Sequence, residues 1–224
     1  VIECHVSYTS PPGFRPMSEV EDVWDSMSER VVDMITFSLR DTKNAKVFVE
    51  AKTAIHTFIR TLESFEFSVS RLNALVLSFF RRFAQLLRER FAADFQQAIR
   101  EAQHQPMIVN DATELAKVLS VCWLKPGEAE QLGKQPFPLS LPFSQTYPLC
   151  CMDIRSLVEQ YYSFSQGMTQ YHQEVDAILS QSLDDLLIQL ISVNIRDTVE
   201  QSNNLSQIAQ IIVNIEHFQL ACSE

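Results

Sequence analysis

Ser70-Arg71-Leu72-Asn73-Ala74-Leu75-Val76-Leu77-Ser78-Phe79-Phe80-Arg81-Arg82-Phe83-Ala84-Gln85-Leu86-Leu87-Arg88-Glu89-Arg90-Phe91 decides the fold class. Leu72, Val76, Phe79, Phe83, Leu86, Leu87 and Phe91 keep the three-and-four spacing of one helix face, while Arg71, Arg81, Arg82, Gln85 and Arg88 fall opposite. The pattern predicts a helix from about Ser70 to His104, roughly 50 Å long. Nothing around it interrupts a helix. Residues 17–105 contain neither Gly nor Pro, and residues 149–224 contain only Gly167. The other glycines are Gly13, Gly127 and Gly133, and the nine prolines cluster in 11–16 and 106–148. Sandwiches, barrels and doubly wound sheets need such turn residues every ten residues or so. Four isolated glycines also cannot build a phosphate-cradling loop, which argues against a nucleotide-binding enzyme.

Working outward, Ser18-Glu19-Val20-Glu21 reads as a capping box opening a helix to about Arg40. Its expected buried stripe is Val20, Val23, Trp24, Met27, Val31, Met34, Ile35 and Leu39. A second helix is predicted from about Ala45 to Glu63, with Val47, Ala51, Ile55, Phe58, Ile59 and Leu62 inward, followed by a connection at Phe65-Glu66-Phe67-Ser68. Long antiparallel helices joined by short turns make a bundle, because each apolar stripe must be covered by a neighbour. Pro106 closes that bundle. Asp111-Ala112-Thr113-Glu114 is a second capping box, opening a short helix to about Val121. Residues 123–144 read as irregular, yet they are too aromatic for a solvated linker and are expected to pack on the second half. A helix is predicted from Ser144–Pro148 to Ser165 with Gly167 as its stop, then a long one over about 170–200. The last helix carries Leu205, Ile208, Ile212, Ile215, Gln219 and Cys222 at strict spacing, widened by Ile211 and Phe218, as its expected inward face. Three parts follow: an N-terminal bundle (1–105), a short helix with a Pro-rich packed connector (106–148) and a C-terminal bundle (149–224).

The net charge of −10 is lopsided. Residues 1–105 hold 13 Lys and Arg against 14 Asp and Glu, and residues 106–224 hold 5 against 14. The acidic second half disfavours nucleic acid, whose phosphates are bound by Lys and Arg. Cys4, Cys122, Cys150, Cys151 and Cys222 spell no disulfide framework and read as buried reduced thiols. Asn204-Leu205-Ser206 fits the glycosylation pattern and is read as a chance match. No apolar run is long enough to span a membrane. The start on Val1 and the end on Ala221-Cys222-Ser223-Glu224 suggest a piece of a longer protein.

No catalytic, metal or cofactor site emerges. His5, His56, His104, His172 and His217 form no zinc-spaced set with the cysteines, and Cys150-Cys151 lacks redox spacing. Asp184-Asp185 could be an acid pair, but adjacent helix residues point apart, so they read as one partly solvated face. The candidate partner-binding basic face is Arg71, Arg81, Arg82 and Arg88, suited to an acidic partner or an anionic membrane surface. The plainer reading is a solvated helix face partly paired with neighbouring acids. Arg90 falls on the apolar side and is expected near an end of the packed region or in a pair.

Pro136-Phe137-Pro138-Leu139-Ser140-Leu141-Pro142-Phe143-Ser144-Gln145, leading into Tyr147-Pro148, resembles the F-P-x-x-F/L-P-F-S signature of exocyst complex subunit 6, the subunit named for the fifteenth Sec secretory gene. Leu205-Ser206-Gln207-Ile208-Ala209-Gln210-Ile211-Ile212-Val213-Asn214-Ile215-Glu216-His217-Phe218 is similar to a second block of that family. Val20–Asp25, Ser64–Val69 and Pro106–Val109 resemble weaker blocks in the same order. Tyr147-Pro148-Leu149-Cys150-Cys151 is closer to fungal than to animal members. The resemblance covers nearly the whole chain and points to the family's middle to C-terminal region. It implies an all-α, elongated rod of stacked antiparallel helical bundles, as in multisubunit tethering complexes. It further implies a non-enzymatic scaffold that holds secretory vesicles near the plasma membrane. The implied partners are other exocyst subunits and a Rab-family GTPase in its GTP state, with at most peripheral membrane contact. The implied location is cytoplasmic, at vesicles and sites of plasma-membrane growth. No GTPase-contacting residue is carried over. The alternatives are a helical module that binds membrane surfaces or acidic partners through the arginine face without GTPase binding, and a helical enzyme using Asp184 and Asp185.

Overall fold

The structure, a computed structural model, describes residues 17–101 and 104–221. Cys4, His5, Cys222 and the proline zone at 11–16 lie outside the described residues. The chain divides into two compact units, one up to Leu86 and one from Leu87. The division falls inside a helix, ahead of the Pro106 boundary drawn from breakers.

The first unit contains α1 (Met17–Leu39), α2 (Ala45–Glu63) and the first part of α3 (Ser70–Arg100). In α3 every residue of the predicted stripe from Leu72 to Leu86 is buried. Ser18 is not the cap of α1, because the helix already includes Met17 and Ser18. The α1 stripe is also not buried as expected. Trp24 and Ser28 are buried, whereas Val23, Met34 and Phe37 are exposed. The core side is rotated toward Trp24 because its indole N–H donates to the Ser68 carbonyl at 2.7 Å and its ring meets Phe58 and Phe67. In α2 the inward line is Phe48, Lys52, Ile55, Ile59 and Leu62, and Phe58 is partly exposed rather than inward. Asn44 caps α2 by accepting from the Lys46 N–H at 3.1 Å.

The turn after α2 shows how a left-handed position is filled without glycine. Phe67 N–H reaches the Leu62 carbonyl and Glu66 N–H reaches the Glu63 carbonyl, the paired bonds of a Schellman motif. Glu66 takes the left-handed position with φ 63°. That conformation costs a side-chain-bearing residue about 1 kcal/mol over glycine. Leu62 and Phe67, which flank it, are both buried, and that burial offsets the strain.

The second unit runs from Leu87. The C-terminal part of α3 buries Leu87, Phe91, Phe95 and Ile99. Helix α3 stops at Arg100 rather than His104, because His104 sits at φ 48° and cannot continue a right-handed helix. Then follow β1 (Ile108–Val109), α4 (Ala112–Val121), α5 (Glu128–Gly133), β2 (Leu139–Ser140) and α6 (Thr146–Ser165). Residues 123–144 are thus not wholly irregular. They hold α5 and β2, and β2 pairs antiparallel with β1 in the register Ile108↔Ser140 and Val109↔Leu139. Gly127, at φ 80°, makes the left-handed turn into α5. Leu139, Leu141 and Phe143 of the Pro-rich connector are buried. Asp111 caps α4 through the Thr113 and Glu114 amides, and the Glu114 carboxylate returns to the Asn110 amide at 2.7 Å, one residue beyond the ordinary box.

Gly167, at φ 83°, ends α6. The single helix expected over 170–200 is a composite. A 3₁₀ turn (Thr169–Tyr171) leads into α7 (His172–Asp184), a π-helical segment (Asp185–Ile191) and α8 (Ser192–Gln201). The wider winding shows where both the backbone N–H and the hydroxyl of Ser192 donate to the Leu187 carbonyl, five residues back. The wider winding shifts the phase of the side chains beyond it, and Val193 is exposed while Val175 and Leu179 are buried. Helix α9 (Leu205–Ala221) closes the unit, packed on α6 and α8, with Asn204 as its cap through the Ser206 amide. No helix among the described residues is long and apolar enough to cross a membrane.

Candidate functional site

Two sequence blocks some 60 residues apart meet in the second unit. Pro142, Phe143, Ser144 and Tyr147 come from the connector and the start of α6, and Gln210, Asn214, His217 and Phe218 come from α9. Asn214 Oδ1 accepts from the Ser144 backbone N–H at 2.9 Å, and its Nδ2 donates to Ser144 Oγ at 2.7 Å. Gln210 Nε2 donates to the Pro142 carbonyl at 2.9 Å. The Tyr147 hydroxyl donates to the Trp123 carbonyl at 2.6 Å and lies 3.3 Å from the His217 carbonyl. His217 Nδ1 is 2.8 Å from the Val213 carbonyl, and Nε2 is 3.5 Å from Glu128 Oε1. The rings of Phe143, Tyr147, His217 and Phe218 stack edge-on or tilted at 5.0–5.3 Å between centroids.

These bonds rotate α9 away from its expected orientation, although Ile211 and Phe218 are inward as read. Gln210, Asn214 and His217 are buried with Ile211 and Phe218. The strict stripe faces outward: Leu205 is 82% exposed, Ile212 51% and Ile215 40%. The reason is energetic. A buried amide or backbone N–H costs about 1–3 kcal/mol if left unpaired. The polar residues recur at i, i+4 and i+7, the spacing of a second possible face, and that face found partners on the connector. That polar spacing was the one available signal for this lock, and apolar periodicity passes over it.

Beside the lock, Cys122, Cys150 and Cys151 are buried free thiols. The hydrogen bond to Cys151, followed by burial, pushes the Cys122 thiol up, and burial pushes Cys150 up. The Arg155 guanidinium lies 3.9 Å over the Trp123 ring and donates to the Val121 carbonyl, covering this corner. A raised folded-state value favours the thiol form. Its contribution is therefore complete below the unfolded thiol range of about 8.5 and is lost as pH rises above it. Urea melts from about pH 7.5 to about pH 10 should show a steeper loss of stability in the parent than in Cys150→Ala. Parallel slopes would show that Cys150 ionises equally in both states.

The candidate basic face is partly paired, with Arg71 and Arg81 exposed and Arg82 and Arg88 half-buried. Arg71 donates to the Asp25 carbonyl and, at 3.0 Å, to Ser28 Oγ. Arg88 pairs with the carboxylate of Asp185. Arg82 bonds Gln85 Oε1 at 2.8 Å, and Arg81 is exposed. Arg90 donates to Gln160 at 3.2 Å and lies over Phe91, so it is paired. Asp184 and Asp185 do not converge, because Asp184 is exposed and Asp185 is gripped by Arg88 and Gln181. An open cleft of about 730 Å³ adjoins the lock, with Ser144 and Thr146 in its wall beside Glu101, His104, Glu114 and Lys117. Among the described residues no group of three or more His, Cys, Asp or Glu is placed to hold a metal ion.

The fold and the lock define an all-α protein whose most recognisable residues serve packing between elements. The family model described as exocyst complex subunit Sec15 C-terminal matches residues 71–224. The chain belongs to that family. It is 26% identical to exocyst complex component SEC15 of Saccharomyces cerevisiae over 213 residues, covering 92% of this chain and 23% of that protein. It is 24% identical to exocyst complex component 6 of Rattus norvegicus over 223 residues, covering 99% and 27%. With exocyst complex component sec15 of Schizosaccharomyces pombe it shares 24% over 208 residues, covering 93% and 26%. The chain spans about a quarter of the length of these curated relatives. No solved structure matches it.

Proposed function

We propose that the chain is part of a non-enzymatic exocyst subunit, a helical scaffold that links secretory vesicles to the plasma membrane and serves as an effector of a GTP-state Rab-family GTPase during exocytosis. Family membership and the printed names of the relatives support the exocyst part of this reading. The observation that carries the contact role is the outward stripe of α9. Leu205, Ile212 and Ile215 are exposed along one side with Ile208 half-buried among them, and the 17-residue helix has Glu216 as its only carboxylate and neither Lys nor Arg. Such an exposed apolar face marks a protein contact. We assign it to the GTPase, with sister subunits as the scaffold's other partners. The acidic second half fits neither nucleic acid nor strong attachment to anionic lipid, and family membership supports a cytoplasmic place at vesicles and growth sites.

The test is capture of the whole natural chain on GTP-loaded and GDP-loaded Rab proteins. GTP-dependent capture is expected, falling about tenfold or more in Ile212→Asp with Ile215→Asp. Both side chains are substantially exposed, so the fold should persist, as circular dichroism would show. Equal capture in the two nucleotide states, or capture indifferent to the substitutions, overturns the assignment.

A further inference from the structure

We propose that α1 docks a basic amphipathic helix of a partner protein along its outward face. Helix α1 is two-sided in an unusual way. Trp24 and Ser28 hold it to its own unit, while Val23, Met34 and Phe37 are 47%, 64% and 77% exposed. By helical geometry these three lie within roughly 60° of arc. Asp22, Glu29 and Asp33, all exposed, form a row along one flank of that stripe. The helix carries six acidic side chains against one basic in 23 residues, and that one, Arg30, is exposed within the arc of the stripe, from which its long side chain can lean toward the acidic row when the stripe is covered. A partner helix that buries the stripe must therefore set Lys or Arg beside the acidic row, the arrangement that fixes partner choice in paired helices.

The same charges discriminate among occupants. An anionic lipid surface is repelled by this helix. A second copy would bring another row of carboxylates to the seam, which like-charge contact disfavours. A basic helix meets both the stripe and the flank. The surface belongs to the first unit and α9 to the second, so its test uses other residues than the GTPase reading.

The probe is a labelled Leu/Lys amphipathic peptide of about 20 residues, titrated by fluorescence anisotropy onto the whole natural chain. A scrambled peptide of the same composition and a Leu/Glu helix serve as controls. The Leu/Lys helix is expected to bind in preference to both. Met34→Ser with Phe37→Ser should weaken it about tenfold or more. Glu29→Lys with Asp33→Lys should weaken it and flatten its salt dependence. All four side chains are exposed, and unchanged thermal melts would show intact folds. Equal binding of the scrambled peptide, or affinity unmoved by either pair, overturns the proposal. So does protection of Met34 and Phe37 from hydroxyl radicals in the monomeric whole chain, which would make that chain the occupant. So does a dimer abolished by Met34→Ser with Phe37→Ser, which would make a second copy the occupant.

Discussion

Asn214→Leu is expected to lower the stability of the second unit by about 3 kcal/mol. Leucine keeps the heavy-atom branching of asparagine but is bulkier, so no cavity is created and the loss combines missing hydrogen bonds with some overpacking. Asn214 is 6% exposed and Ser144 3%, so bulk water cannot replace the side chain. The substitution strands the Ser144 backbone N–H and removes the donor to Ser144 Oγ. One orphaned backbone donor and one lost side-chain bond, at about 1–3 kcal/mol each, give the total. In a thermal melt the midpoint should fall by about 6–12 °C. Adding Ser144→Ala should recover part of the loss, because the hydroxyl no longer needs a partner, while the backbone N–H stays unpaired. A change below about 1 kcal/mol would mean that another group satisfies Ser144 and that the lock does not orient α9.

Trp24→Ala should be the most damaging change in the first unit, at about 3–5 kcal/mol. Trp24 is 3% exposed, its rings meet Phe58 and Phe67 at 6.1 and 5.9 Å, and its N–H ends on the Ser68 carbonyl. Truncation removes the packing, opens a cavity and leaves the carbonyl without that donor. Because α1 buries little else, hydrogen exchange across Met17–Leu39 should accelerate more than exchange in α2. Phe37→Ala, at a residue equally aromatic but 77% exposed, should stay within about 0.5 kcal/mol. Equal effects at the two positions would contradict the account of α1 as a helix pinned on one side.

The helices themselves were legible from spacing and from missing breakers. Leu72 through Phe91 behaves as read because that face is densely apolar and its opposite is charged, so one orientation wins by a wide margin. Helices α1 and α9 show where such reading stops. In α9 apolar side chains lie on more than one side, and the choice of face fell to Gln210, Asn214 and His217, whose partners sit some 70 residues away. A pairing across that distance leaves no local mark. In α1 the stripe was wide enough for two faces, and the single indole of Trp24 selected between them. The family blocks were readable as a resemblance, but their physical role, a clasp between connector and final helix, needed geometry. The arginine face was visible as a row of like side chains. That Arg71 would turn to Asp25 and Ser28, and Arg88 to Asp185, depended on neighbours the spacing could not place.

The π-helical segment from Asp185 to Ile191 has a consequence for how this sequence can drift. A π turn accommodates roughly one residue more than an α turn, and such bulges are local. Upstream, Asp185 is held by Arg88, and downstream α9 is fastened through Asn214. Between two fastened points, the wide turn acts as a vernier. A codon gained or lost there changes the local pitch, and the residues beyond keep their address.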